Sequence, residues 1–164
     1  MMGLMLDRHG WLKPHGQVQC CPSPNYDKRP AGVDPTLLVL HNISLPPGQF
    51  GKKHIVDFFL NRLNCKHHPW FENIRNLKVS AHFLIDREGT ITQFVSTQHR
   101  AWHAGVSSFN GRQKCNDFSI GIELEGTDTQ PYTDEQYYAL KRLTQVIRAR
   151  HTLKAVRGHE HIAP

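Results

Sequence analysis

Asn116-Asp-Phe-Ser-Ile-Gly-Ile-Glu-Leu-Glu-Gly126 reads at the period of a β-strand. On that period Phe118, Ile120, Ile122 and Leu124 share one face, while Ser119, Gly121, Glu123 and Glu125 share the other. The first face is core. The second sets two carboxylates over a floor almost bare of side chains. Glycine weakens a strand and often marks close approach by a ligand or another backbone, so Gly121 makes this face the bottom of a cleft. An edge strand with a solvated acidic face is the alternative that the stretch alone leaves open.

The flanks supply a sheet and two helices. Thr36 to Asn42 is a nearly continuous apolar run, as a strand buried on both faces requires, and it ends in His41-Asn42. A histidine at the end of a central strand is either a functional group or a core histidine bonded to a backbone carbonyl. Lys52 to Asn64 places Ile55, Val56, Phe58, Phe59, Leu60 and Leu63 at helical spacing, and Cys65 to Asn76 is irregular with Trp70 in it. Val79 to Ile85 and Thr90 to Val95 flank Asp86-Arg87-Glu88-Gly89 as a hairpin, expected beside the His41 strand. Arg100 to Gly105 is a loop whose Trp102 and His103 form either a sugar-stacking device or a buried corner. Beyond the central stretch, Thr133-Asp-Glu-Gln136 is a capping box opening a helix with a stripe of Leu140, Leu143, Val146 and Ile147. Lys154 to Gly158 makes a last short strand that delivers His159. Residues 1–35, rich in Pro and Gly, read as an extended arm with turns. Residues 36–164 read as the folded domain, an α/β unit with a single mixed β-sheet flanked by helices.

At 164 residues the chain suits one domain, and 20 Lys plus Arg against 14 Asp plus Glu leave it at +6. That charge favours an acidic partner. The basic residues are scattered and match no nucleic-acid motif, so a small acidic molecule is the better partner, with no nucleic acid and no membrane involved. No apolar run is long enough to cross a bilayer, and the N-terminus lacks the apolar core of a signal peptide. Cysteines 20, 21, 65 and 115 have neither metal spacing nor a disulfide framework. They read as free thiols of a reducing compartment, so the cytoplasm is the expected location; a monomer is expected.

Two strand-terminal histidines, His41 and His159, with a carboxylate on an intervening strand, suggest a metal site. Neutral imidazoles suit Zn²⁺, and Glu123 or Glu125, outside the ligand set, would take a proton from the attacking water. Compact zinc motifs such as H-E-x-x-H do not occur.

The segments Pro22-Ser-Pro-Asn-Tyr-Asp-Lys-Arg-Pro30, Leu38-Val-Leu-His-Asn-Ile-Ser-Leu-Pro-Pro-Gly48, Val79-Ser-Ala-His-Phe-Leu-Ile85, Arg100-Ala-Trp-His-Ala-Gly-Val-Ser-Ser108, Cys115-Asn-Asp-Phe-Ser-Ile-Gly-Ile-Glu-Leu-Glu-Gly-Thr-Asp128 and Gly158-His-Glu-His-Ile-Ala-Pro164 resemble the AmpD-type N-acetylmuramoyl-L-alanine amidases. The resemblance runs from about Trp11 to the end. It implies a zinc enzyme of cytoplasmic cell-wall recycling that cleaves the amide between (anhydro)N-acetylmuramic acid and L-alanine, with an anhydromuropeptide as substrate. Matched residue by residue, it implies His41 and His159 as zinc ligands and Glu123 as the catalytic carboxylate, with Glu125 structural. It further implies Asn42, Trp70, Trp102 and His103 in the muropeptide cleft, and Lys78 and Lys114 where relatives carry arginines for peptide carboxylates. Lysine keeps that charge without the bidentate fork. Relatives continue beyond Ile162-Ala-Pro164 to a catalytic lysine and an aspartate that is the third zinc ligand. The expectation from that difference is a domain truncated at its C-terminal end, with Asp128, Glu160 or His161 as replacement ligands. The alternative to an active amidase is then a catalytically impaired muropeptide-binding module.

Overall fold

In the computed structural model, which describes residues 3–164, the Ser119–Glu125 segment is buried along its whole length and paired on both edges, which removes the edge-strand alternative. In chain order the elements are β1 (Val18–Cys20), β2 (Tyr26–Lys28), β3 (Leu37–Ile43), α1 (His54–Phe59), β4 (Phe83–Ile85), β5 (Ile91–Gln93), β6 (His99–Ala101), β7 (Ser108–Phe109), β8 (Arg112–Gln113), β9 (Ser119–Glu125), α2 (Asp134–Arg150) and β10 (Ala155–Gly158). Six of the strands form one mixed sheet in the order β1-β5-β4-β9-β3-β10. β4, β9, β3 and β10 run parallel, and β5 and β1 run against them. β2 pairs with β6, and β7 with β8, outside that sheet.

The alternation read from the sequence sorts the layers from Ile120 to Leu124, but Phe118, expected on the same face, lies in the 3₁₀ turn before β9 and packs on the other face. Ile120, Ile122 and Leu124 of β9 join Leu38, Phe83 and Ile85 on one face, where Ala139, Leu143 and Ile147 of α2 cover them. On the other face α1 contributes Ile55, Phe58 and Phe59 to a second cluster with Phe71, Leu84 and Phe94. Leu37 and Val39 pack there with Ala104, Cys115, Phe118 and Ile162. The polar side of β9 lies on this second face.

Further expectations are corrected. Arg100 and Ala101, read as the start of a loop, belong to β6, because they pair with Asp27 and Tyr26 of β2. The β4–β5 hairpin adjoins β9, not the His41 strand, because β9 inserts between β4 and β3. The helix read over 52–64 spans only His54–Phe59. Asn61 has φ 60° and exchanges side-chain amide bonds of 2.9 Å with Asn25, a conformation that cannot continue a right-handed helix. The N-terminal segment holds two short strands: β1 joins the sheet edge, its ladder extended by Ile91 N–H donating to Gln17 O at 2.9 Å and Cys21 N–H to Gln93 O at 2.9 Å. Three residues give too short a pattern for periodicity to register, and main-chain pairing asks little of side chains.

His82, just before β4, is fully buried and belongs to the scaffold. Its Nδ1 accepts from Gly121 N–H at 3.0 Å, and its Nε2 donates to His99 O at 2.8 Å. Burial, and next the charge of Arg29, push its pKa from 6.5 to about 3. The unfolded chain therefore binds this proton first. The stability associated with neutral His82 is complete above pH 6.5 and is lost as pH falls toward 3. His82→Gln is expected to flatten the acid-side decline of unfolding free energy by about 1.4 kcal/mol per pH unit between about pH 6 and 4, measured by urea unfolding. Identical slopes for the two proteins would contradict a neutral buried His82.

Candidate active site

The parallel register of β3 and β9 sets His41 directly beside Glu123. β10 pairs Gly158 with Leu40, so that the next residue, His159, opens a short 3₁₀ turn alongside His41. All three groups thus gather at the carboxyl ends of parallel strands, where open α/β sheets present ligands. The His41 and His159 ring centroids are 4.8 Å apart, and His41 Nδ1 lies 3.9 Å from Glu123 Oε1. Glu123 Oε2 and His159 Nδ1 are buried without a hydrogen-bond partner. Burial pushes the Glu123 carboxyl up to about 8, and burial together with the neighbouring His159 pushes the His41 imidazole down to about 3. A cation beside Glu123 favours its anion, so cation binding here and ionisation of Glu123 reinforce each other.

The loop carrying Trp102 and His103 is held from beneath. Arg100 on β6 reaches Asp27 on β2 through Nε at 2.6 Å and Nη2 at 2.7 Å, and also bonds Asp117. Asn116 Oδ1 accepts both the His103 and the Ala104 amides, at 3.1 and 2.9 Å. The His103 ring then lies on the bare floor of β9: a Cβ on Gly121 would stand 2.6 Å from its Cγ. The close approach that Gly121 signals in the sequence is made by this ring. His103 Nδ1 is 2.9 Å from His41 Nε2, and its Nε2 is 3.0 Å from Ser119 Oγ. Nothing in the sequence spacing pairs residues 41, 103 and 119; the glycine is the one local sign that something packs there.

Asn42, Trp70, Trp102, His103, Glu123 and His159 line one cleft of about 690 Å³, with Leu45, Phe58 and Leu77 in its apolar wall. Lys78 borders a smaller adjoining cavity of about 250 Å³ that shares Phe58, Ile74 and Leu77 with the cleft. Lys114 lies outside both linings. It takes a left-handed backbone conformation (φ 57°) at the head of the 115–118 turn and is exposed. Glu125 accepts the Gly51 amide at 3.1 Å and the Arg87 amide at 3.2 Å. Asp128 accepts from Asn42 Nδ2 at 2.7 Å, and Glu160 and His161 are exposed.

Among the described residues no group of three His, Cys, Asp or Glu side chains is placed to hold a metal ion. The His41–His159 pair nevertheless fits zinc as two nitrogen donors. It combines neutral imidazoles, an orphaned buried ring nitrogen and an unpartnered carboxylate oxygen within one strand-end cluster.

The family model described as N-acetylmuramoyl-L-alanine amidase matches residues 31–164. The chain is 54% identical over 158 residues to the 1,6-anhydro-N-acetylmuramyl-L-alanine amidase AmpD of Haemophilus influenzae, a match covering 94% of this chain and 84% of that protein. The crystal structure of a selenomethionine derivative of AmpD superposes with a TM-score of 0.92 at 51% identity, covering 98% of this chain and 88% of that one. The amidase AmiD of E. coli, solved with anhydro-N-acetylmuramic acid-L-Ala-D-γ-Glu-L-Lys, superposes with a TM-score of 0.56 at 26% identity, covering 99% of this chain and 58% of that one.

Proposed function

The chain belongs to the N-acetylmuramoyl-L-alanine amidase family, and from that premise we propose that it hydrolyses the amide between anhydro-N-acetylmuramic acid and L-alanine in muropeptides, in cell-wall recycling. The observation that carries this reading is the strand register that sets Glu123 beside His41, with the His159 ring 4.8 Å from that of His41. His41 and His159 would hold a zinc ion through ring nitrogens. Zinc, when bound, supplies Lewis-acid polarisation of the scissile carbonyl. Glu123 takes a proton from the attacking water on a carboxylate oxygen and returns it to the alanine nitrogen as the C–N bond breaks. Trp70 and Trp102 offer aromatic surface to the sugar, and Asn42, held by Asp128, offers an amide at the rim. Lys78 supplies positive charge for a peptide carboxylate in the adjoining cavity. We assign the enzyme to the cytoplasm, where its four free cysteines remain reduced. No helix among the described residues is long and apolar enough to cross a membrane.

The test uses anhydro-N-acetylmuramic acid-L-Ala-D-γ-Glu-L-Lys as substrate, with zinc supplied in the assay and its binding measured by titration. With zinc supplied, the parent chain is expected to bind the metal and release the tripeptide, and His41→Ala to lose metal binding and cleavage together. Cleavage and zinc binding unchanged in His41→Ala would refute the assignment.

A further inference from the structure

We propose that Asn116 is a positioning residue of the cleft: its one side-chain oxygen clamps the wall that carries Trp102 to the strand that carries Glu123, and so sets the place of the indole over a bound muropeptide. The effect on the ligand rests on the muropeptide reading above; the clamp itself does not.

The wall has no strand ladder of its own. β6 ends at Ala101, and the amides of the next three residues are all accepted by side-chain oxygens. Ser80 Oγ takes the Trp102 amide at 3.2 Å, and Ser80 N–H donates in return to Trp102 O at 3.0 Å. Asn116 Oδ1 takes both the His103 amide at 3.1 Å and the Ala104 amide at 2.9 Å. The direction of these two bonds is fixed, because a backbone N–H only donates and an amide oxygen only accepts. The same two donors settle which way the Asn116 amide is turned, oxygen toward the wall. Ala104 is buried, so removing that oxygen strands its N–H away from water, and the wall must move to satisfy it.

Asn116 stands where wall and floor can be joined. It lies in the Cys115–Phe118 turn, which runs directly into β9, the strand of Glu123. The turn is itself held: Arg29 Nη1 donates to Asn116 O and to Asp117 O, each at 3.2 Å, and Arg100 bonds the Asp117 carboxylate. Trp102 is thus tied to Ser80 on one side and, through its neighbours His103 and Ala104, to the root of β9 on the other. Trp102 and Glu123 line the same cleft, so this tie fixes the indole relative to the reacting carboxylate. Beyond Ala104 the chain enters an exposed tip at Gly105 and Val106, and Asn116 holds the last two amides before it.

Amide hydrogen exchange at residues 103 and 104 reads the clamp. Calorimetric titration with anhydro-N-acetylmuramic acid-L-Ala-D-γ-Glu-L-Lys, before zinc is supplied, reads binding apart from turnover. The parent chain is expected to protect both amides. Asn116→Ala is expected to release both and to weaken binding by about tenfold, the loss of one well-placed aromatic contact. Asn116→Asp keeps an acceptor oxygen at the same reach, in a turn already bonded by Arg29 and Arg100, and is expected to restore both readings. Gln136→Ala, altered at a fully buried position outside the cleft, is expected to bind like the parent although it is destabilised. Fast exchange of both amides in the parent would overturn the proposal, and so would parent-like binding by Asn116→Ala. An Asn116→Asp chain no better than Asn116→Ala would do the same, as would an equal loss of affinity in Gln136→Ala, which marks general loosening. Absence of binding by the parent removes the muropeptide reading, while the exchange rates still judge the clamp.

Discussion

Glu123→Gln is expected to lower kcat for tripeptide release by about a thousandfold, the size of effect typical for a general base, with little change in KM. Glutamine keeps the shape of the side chain but cannot take the proton of the attacking water. The substitution is also expected to leave stability undiminished. Glu123 Oε2 has no hydrogen-bond partner and Oε1 stands 3.9 Å from the nearest imidazole nitrogen, so no bond is lost. Burying an ionisable carboxyl without partners is unfavourable in itself, which is why burial drives its pKa to about 8. Glu125→Gln provides the contrast. Glu125 accepts two backbone amides, so its replacement weakens the anchoring of residues 51 and 87 and should act on stability before it acts on kcat. Substrate kinetics and thermal unfolding of both variants decide the matter. A Glu123→Gln enzyme retaining more than about a tenth of the parent kcat would remove Glu123 from the proton-transfer role.

The largest stability loss is expected from Gln136→Ala, about 3 kcal/mol in urea unfolding. Thr133 Oγ1 accepts the Gln136 amide at 3.1 Å, and Gln136 Oε1 accepts the Thr133 amide at 3.0 Å, so the capping box read from the sequence forms in full. The same side chain has a second task. Gln136 Nε2 donates to Ile85 O at 3.2 Å and to Glu125 O at 2.9 Å, tying the start of α2 to the ends of β4 and β9. Alanine removes a cap, worth about 1 kcal/mol, and two further hydrogen bonds at a fully buried position, at about 1 kcal/mol each, with Glu125 O keeping only Arg87 Nη1 at 3.3 Å. Gln136→Glu discriminates the two tasks, because glutamate satisfies a capping box but turns a carboxylate oxygen toward those two carbonyls. It is expected to be destabilised as well. Parent-like stability in Gln136→Glu would mean that the cap alone matters.

Much of the scaffold was legible because its signals are local. The faces of β9 follow from alternate residues, the start of α2 from a four-residue box, and the buried stripe of α2 from helical spacing, with Leu143 and Ile147 fully buried as read and Leu140 and Val146 packed against the same core. Hairpin and strand identities held for β3, β4, β5, β9 and β10 for the same reason. Element lengths held less well. α1 stops at Phe59 because Asn61 is locked by Asn25, a residue far away in the chain, and no helical period contains that information. β1 escaped notice because its partner, not its composition, makes it a strand.

The sequence by itself determined that β9 has an apolar and an acidic face, that His41 and His159 lie near strand ends, and that Gly121 marks a close approach. It also pointed, through resemblance, to the amidase family to which the chain belongs. Only the tertiary structure decided that β9 lies between β4 and β3, that His41 and Glu123 share a register position, and that the ring filling the space above Gly121 is His103. It also separated Lys78 at the adjoining cavity from Lys114 outside both linings, and turned Glu125 into a backbone anchor. The physical reason is range. Periodicity and capping are set by neighbours within a turn or two of chain, whereas register and ring contacts arise when strands far apart in sequence bury their faces together, and only the packed sheet specifies which residues then meet.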